Sequence, residues 1–144
     1  ARGDMDWDTI NYPSVVRDAV VFWKWTNNDI TMFGLRKLPG NRQRVISSGQ
    51  QELVERSLAN ATFNLDRDIG IQSWHKFFEE RPFWIKVAAT GGEGRSRKSS
   101  RAGLSYTTRA EWLPLGDFKN GGDYFEGDLE YETSPKVSMG AVYN

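Results

Sequence analysis

The run from Pro82 to Trp112 constrains this chain more than any other stretch: PFWIKVAAT, then GGEGRSRKSSRAG, then LSYTTRAEW. Two alternating stretches flank a connection of glycine, serine and positive charge, which reads as a long-looped hairpin with a cationic tip. Phe83, Ile85, Val87 and Ala89 share one face of the first strand, and Leu104, Tyr106, Ala110 and Trp112 share one face of the second. A chain with such a hairpin at its centre is expected to be mainly β.

The remaining segments extend that expectation. From Ser14 to Thr26, Ala19, Val21, Trp23 and Trp25 fall on one side and Val20, Phe22 and Lys24 on the other, which reads as a central strand covered on both faces. Asn27-Asn28-Asp29 has turn chemistry, so Ile30 to Leu38 is expected to return antiparallel. Pro39-Gly40-Asn41 is a second turn, followed by a short third strand from Arg44 to Ser48. Residues 50–66 stay open between helix and strand: Glu52 and Arg56 are four apart beside Leu53, Val54 and Leu58, yet Ala61 to Leu65 looks extended. Asp68 is placed to cap a helix running to Glu80, with Ile71, Trp74 and Phe78 at i, i+3 and i+7 and Pro82 as its stop. Downstream, Phe125, Leu129 and Tyr131 alternate with Glu126, Asp128, Glu130 and Glu132, and a last strand carries Val137, Met139, Ala141 and Tyr143. The expected fold is therefore an antiparallel β-sandwich or curled sheet with one packed α-helix at about 69–80. Residues 1–13 read as an extended N-terminal arm ahead of a single β-rich domain over 14–144.

A chain of 144 residues is long enough to hold one real core. Six Trp, eight Phe and five Tyr make its modest hydrophobic fraction bulky. Nineteen basic and nineteen acidic residues cancel, so the chain as a whole exerts no long-range pull on nucleic acid or an anionic membrane. The charge is nevertheless segregated. Residues 91–103 hold Arg95, Arg97, Lys98 and Arg101 against Glu93, whereas residues 117–132 hold six carboxylates against Lys119. The absence of cysteine excludes disulfides and thiolate zinc sites. No apolar run approaches the ~20 residues of a membrane-spanning helix. The chain opens at Ala1 with no visible signal peptide, which reads as a removed leader or a trimmed chain.

The cationic tip carries the sharpest functional expectation. Glycines let backbone N–H groups approach an anion, Arg and Lys neutralise phosphate, and the flanking Trp84, Tyr106 and Trp112 would stack on unpaired bases. The strand, the glycine-rich basic loop and GLSYTTRAEWLPL together resemble the strand, loop and helix start of the Whirly and single-stranded-DNA-binding transcriptional coactivator group. That resemblance, over some thirty residues, implies a small sheet that binds unpaired strands, with Thr108 and Glu111 as the capping box of a helix. Pro114 would limit such a helix to one turn, and strand alternation accounts for the same residues.

Other motifs are weaker. Asp4, Asp6 and Asp8 are spaced like the first ligands of a calcium loop, but Thr9 and Val15 stand where that loop needs glycine and a bidentate Glu. His75, the sole histidine, has no nucleophile motif near it and reads as a surface residue of the helix rather than a general base. Trp7, Trp84 and Tyr124 are candidates for stacking on sugar rings. The expectation is a non-enzymatic structural or interaction subunit of a larger assembly, an organelle-complex accessory subunit or a virion component, with no cofactor and no bound metal. It would dock on other protein subunits, or on copies of itself, through the arm and the basic hairpin loop. Arg95, Arg97, Lys98, Arg101, Trp84 and Tyr106 are the contact residues. A single-stranded nucleic-acid-binding module is the alternative, and a carbohydrate-binding module the second alternative.

Overall fold

The computed structural model describes residues 17–92, 94, 103–128 and 130–144. Six strands run in chain order through one antiparallel sheet: β1 (Ala19–Lys24), β2 (Asp29–Lys37), β3 (Arg67–Phe77), β4 (Phe83–Thr90), β5 (Ser105–Trp112) and β6 (Met139–Tyr143). The chain is mainly β, as expected, with a single sheet that does not close into a barrel. The expected N-terminal arm lies outside the described residues.

Local chemistry sets the first hairpin. Trp25 N–H donates to Asp29 O, Thr26 Oγ1 donates to the Asp29 carboxylate at 2.6 Å, and Asn28 N–H donates back to Thr26 Oγ1 at 3.1 Å. The turn residues thus bond their own backbone, as their types favour. Across β2 and β3, Gly34 faces Gly70. A Cβ at either glycine would lie 2.2 Å from a carbonyl oxygen of the next strand, Ala19 O for position 34 and Ala89 O for position 70. No side chain fits at either place.

Several expectations need correction. Residues 67–77 form strand β3, not the helix expected at about 69–80. The supposed helical stripe divides between faces: Ile71 lies on one side of the sheet, Trp74 on the other, and Phe78 ends the strand at φ 57°. A segment with a strand to bond on each side, β2 and β4, satisfies its backbone as a strand, and tertiary pairing overrides the weak helical periodicity. Asp68 caps no helix; its carboxylate accepts from Ile69 N at 2.8 Å and from Gly92 N at 2.6 Å. Thr108 and Glu111 belong to strand β5, so no capping box forms and the helix start implied by the resemblance is absent. The first strand is an edge strand rather than a central one, and Val21, Phe22 and Trp23 are exposed.

The loops differ as well. In place of a strand at Arg44 to Ser48 there is a helical turn, α1 (Arg42–Val45), because Asn41 caps it by accepting from Arg44 N at 2.9 Å. Within 50–66 a second short helix, α2 (Leu58–Thr62), is capped by Ser57, whose Oγ accepts from Asn60 N. The acidic run after Tyr124 does not form a strand among the described residues. Its carboxylates bond nearby groups instead: Glu130 accepts from Asn120 Nδ2 at 2.7 Å and Glu132 from Lys119 N at 2.6 Å.

The connections from β2 to β3 and from β5 to β6 cross the same face of the sheet. Arg109 Nη1 donates to Gly40 O in the first connection, and Tyr124 of the second meets Lys86 and Glu111. Among the described residues, Met32, Leu38, Ile46, Ala88 and Leu113 are the buried hydrophobic side chains, joined by Pro82, a small set for so aromatic a chain.

Candidate functional site

The covered face of the sheet sets a charged network beside buried apolar residues, and the other face is largely apolar and exposed. On the covered face, Trp74, Lys86 and Arg109 are direct neighbours across β3, β4 and β5, with Glu111 paired to Trp84 one step along. Lys86, Arg109 and Glu111 are all buried. Glu111 receives the Lys86 ammonium, the Arg109 Nε at 2.7 Å and Nη2 at 2.6 Å, and the Tyr124 hydroxyl at 2.9 and 3.0 Å. Lys86 also donates to the Tyr124 oxygen at 2.6 Å, and its ammonium lies 4.8, 5.3 and 5.6 Å from the ring centres of Trp74, Tyr124 and Trp84. Arg42 stacks over Tyr124 and reaches Glu111 and Asp123 at 3.7 and 3.8 Å.

The electrostatics follow from burial and charge. Burial alone would raise the Glu111 carboxyl, but the charges of Lys86 and Arg109 and the hydrogen bonds from Lys86 and Tyr124 bring it below its ordinary value. Burial lowers the Lys86 ammonium, against the opposing pull of Glu111. Burial and the Glu111 charge push the Tyr124 phenol up, so it remains a donor. A cavity of about 470 Å³ lies beside this network, with Arg36, Trp74, Trp84 and Asp123 among its lining residues. Glu111 is held ionised by donation from the Lys86 ammonium, the Arg109 guanidinium and the Tyr124 hydroxyl, which ties the connections to the sheet. No group of three or more His, Asp or Glu able to hold a metal ion is present among the described residues.

The other face is open and apolar. Val21, Phe33, Ile71, Ala89 and Tyr106 form one cross-strand row; Trp23, Thr31, Ser73, Val87, Thr108 and Tyr143 form the next. Phe77, Phe83, Trp112 and Met139 form another near the end of the sheet. Val21, Ile69 and Tyr106 are 68%, 65% and 64% exposed, so nothing in the described chain covers them. The ionisable pair on this face, Asp29 at the β1–β2 turn and His75, is bonded to itself. Asp29 lies below its ordinary value because Thr26 and then His75 donate to it. Trp25 Nε1 donates to Thr31 Oγ1 at 3.0 Å, which ties an edge aromatic onto the face.

Of the residues singled out in the sequence, Arg95, Arg97, Lys98 and Arg101 lie outside the described residues, as do Asp4, Asp6, Asp8 and Trp7. Trp84 and Tyr106 are placed on opposite faces: Trp84 shares the covered face with Lys86, and Tyr106 the open face with Ala89. Trp112 joins Tyr106 on the open face, while Tyr124 is engaged by Lys86, Glu111 and Arg42. His75 is the partner of Asp29 in a strand. The buried cluster was the feature least visible in sequence. Its signal was the phase of Lys86, Arg109 and Glu111, which alternate against Ile85, Val87, Ala110 and Trp112.

No helix among the described residues is long and apolar enough to cross a membrane. Comparison of the chain with protein-family models, with curated proteins and with solved structures finds no match.

Proposed function

We propose that this protein is a non-catalytic assembly subunit whose open sheet face packs against the same face of a second copy. The observation that carries this reading is the row of exposed Val21, Phe33, Ile71 and Tyr106, continuous with Trp23 and Val87. Single exposed apolar residues are ordinary, whereas a contiguous apolar face of this extent marks a contact. Six strands at ~4.8 Å and about seven residues at ~3.4 Å give roughly 600 Å² in projection. Two such faces packed ~10 Å apart, as in a sandwich, would remove on the order of 1,200 Å² from water in total, the lower end of the range for a stable interface.

Charge favours a like partner. The Asp29 and His75 pair is satisfied within the chain, so it presents no unmatched charge for a foreign protein to complement. An isologous contact needs none. The reading moves the docking element from the arm and loop of the sequence expectation to the sheet itself.

Sedimentation velocity across a concentration series tests it. The wild-type chain should sediment as a dimer at high concentration, and Val87→Lys, at the centre of the face, should sediment as a monomer with unchanged far-ultraviolet circular dichroism. A wild-type chain that stays monomeric throughout the series refutes the pairing, and so does a Val87→Lys chain that remains dimeric.

A further inference from the structure

At the end of the sheet where β2 leaves and β3 enters, Arg17, Lys37, Arg44, Arg56 and Arg67 surround a crevice of about 310 Å³ together with Asp66. A chain with no net charge thus gathers five of its nineteen bases at one place. Asp66 pairs with Arg44 and, at 3.5 Å, with Arg67. Asp18 takes Arg67 in a bidentate grip, at 3.0 Å from Nη2 and 3.2 Å from Nε. Two carboxylates therefore answer five cations, and Arg17, Lys37 and Arg56 have no ion pair among the described residues.

The crowding leaves marks. Lys37 is held below its ordinary value, first by burial and then by repulsion from Arg67, Arg44 and Arg56. The buried Nε of Arg44 has no hydrogen-bond partner among the described residues. Ser47, also at the crevice, begins the turn at 48–50 without using its hydroxyl as a cap. Like charges kept this close raise the energy of the empty site, and an anion among them lowers it.

We propose that this crevice is a binding site for a phosphate group, held by Arg17, Lys37, Arg44 and Arg56 with Ser47 as a hydroxyl donor. Guanidinium forks match the tetrahedral oxyanion, and the volume admits a phosphate with part of the group that carries it. Gly92 and Gly94, just past the end of β4, lie beside the crevice: Gly92 N donates to Asp68, and the side-chain position of Gly94 lies 4.0 Å from Arg67 O. Two sources carry the required chemistry, a small polyphosphate and the backbone of a single nucleic-acid strand. The site does not depend on pairing of the open face.

The test titrates the full chain with pyrophosphate by calorimetry at constant ionic strength, and with a labelled single-stranded oligonucleotide by fluorescence anisotropy. Binding of pyrophosphate assigns a small-molecule source, and binding of the oligonucleotide alone assigns a backbone. In either arm the double variant Arg17→Gln/Lys37→Gln should bind about tenfold more weakly. These side chains are chosen because neither makes an ion pair among the described residues, so their loss relieves repulsion without removing a fold contact. Arg81→Gln, at the opposite end of the sheet, should leave binding unchanged. No binding of either probe overturns the proposal, as does equal weakening by the double variant and by Arg81→Gln.

Discussion

The covered face of this sheet buries a charged network beside Met32 and Ala88 while the open face exposes apolar side chains, whereas an antiparallel sheet ordinarily turns its apolar side to the core and its polar side to water. Here the connections lie over Lys86, Arg109 and Glu111, while Val21, Phe33, Ile71 and Val87 face outward. The difference teaches that alternation groups residues by face without saying which face will be covered. The cover went to the side where the Tyr124 hydroxyl and the Gly40 carbonyl complete a charged network. Burying that network stabilises little in itself, because desolvating the charges offsets most of their attraction. The apolar area of the other face is left uncovered by the described residues.

The largest expected effect breaks the covered face. Glu111→Gln removes the carboxylate that Lys86, Arg109 and Tyr124 all donate to, leaving two buried cations short of a counter-charge. Urea unfolding at neutral pH should show a loss of about 3–5 kcal/mol. A loss below about 1 kcal/mol would mean that the network is ornamental and the two faces differ less than their chemistry implies.

Next comes the contrast in crowding. Gly70 lies on the covered side beside Ala89 O and the Thr90 backbone, at 2.2 and 2.7 Å from an added Cβ. Gly70→Ala should cost about 2–3 kcal/mol, because strand backbone cannot yield as a flexible side chain would. Thr108→Ala, on the open face, should stay within about 0.5 kcal/mol. Thermal unfolding of the two single variants makes the comparison, and equal losses would contradict it.

The open face has a signature that depends on concentration. If a second copy covers it, the melting temperature rises with protein concentration, since only the folded chain pairs. Ile71→Thr should leave the dilute chain within about 0.5 kcal/mol of wild type and weaken pairing by about 1–2 kcal/mol per copy. Melting curves at two widely separated concentrations distinguish these effects. A loss of the same size at both would place Ile71 in the core of the single chain.

Much of the hairpin from Pro82 to Trp112 was legible in the sequence, because its alternation is strict and glycine marks its turn. Phe83, Ile85, Val87 and Ala89 do share a face, as do Tyr106, Ala110 and Trp112. The helix misread at about 69–80 shows the opposite case. Ile71, Trp74 and Phe78 fit a helical stripe, but Gly70 lies where β3 approaches the β4 backbone and Gly34 where β2 approaches β1, a constraint that exists only after the strands pair. The edge position of β1 was hidden for a related reason: aromatics on both sides signal burial by something, and that something need not belong to the chain itself. The charged cluster was invisible as a cluster because Lys86, Glu111 and Tyr124 come from three separate segments. The crevice likewise draws its cations from five places along the chain.

The smallest expected effect refines the picture of the covered face. Asp123 lies next to the network, 3.8 Å from Arg42, and burial followed by the charge of Glu111 holds its carboxyl above its ordinary value. A raised value means that the protonated form is the one the fold favours. Its contribution is fully present below the unfolded value of 3.8 and is lost as pH rises through the folded value. At neutral pH the ionised Asp123 is therefore a cost that Asp123→Asn should remove, raising stability by under about 1 kcal/mol. The gain should shrink toward zero as the pH is lowered into the acid range, where both states of the wild type hold the proton. Glu111 titrates with the opposite sign: its lowered value makes its contribution present above the unfolded value of 4.5 and lost as pH falls. Denaturation curves of Asp123→Asn from neutral to acid pH separate the two groups. A variant less stable than wild type at neutral pH would show that the Arg42 ion pair outweighs burial, and that the covered face tolerates a second carboxylate beside Glu111.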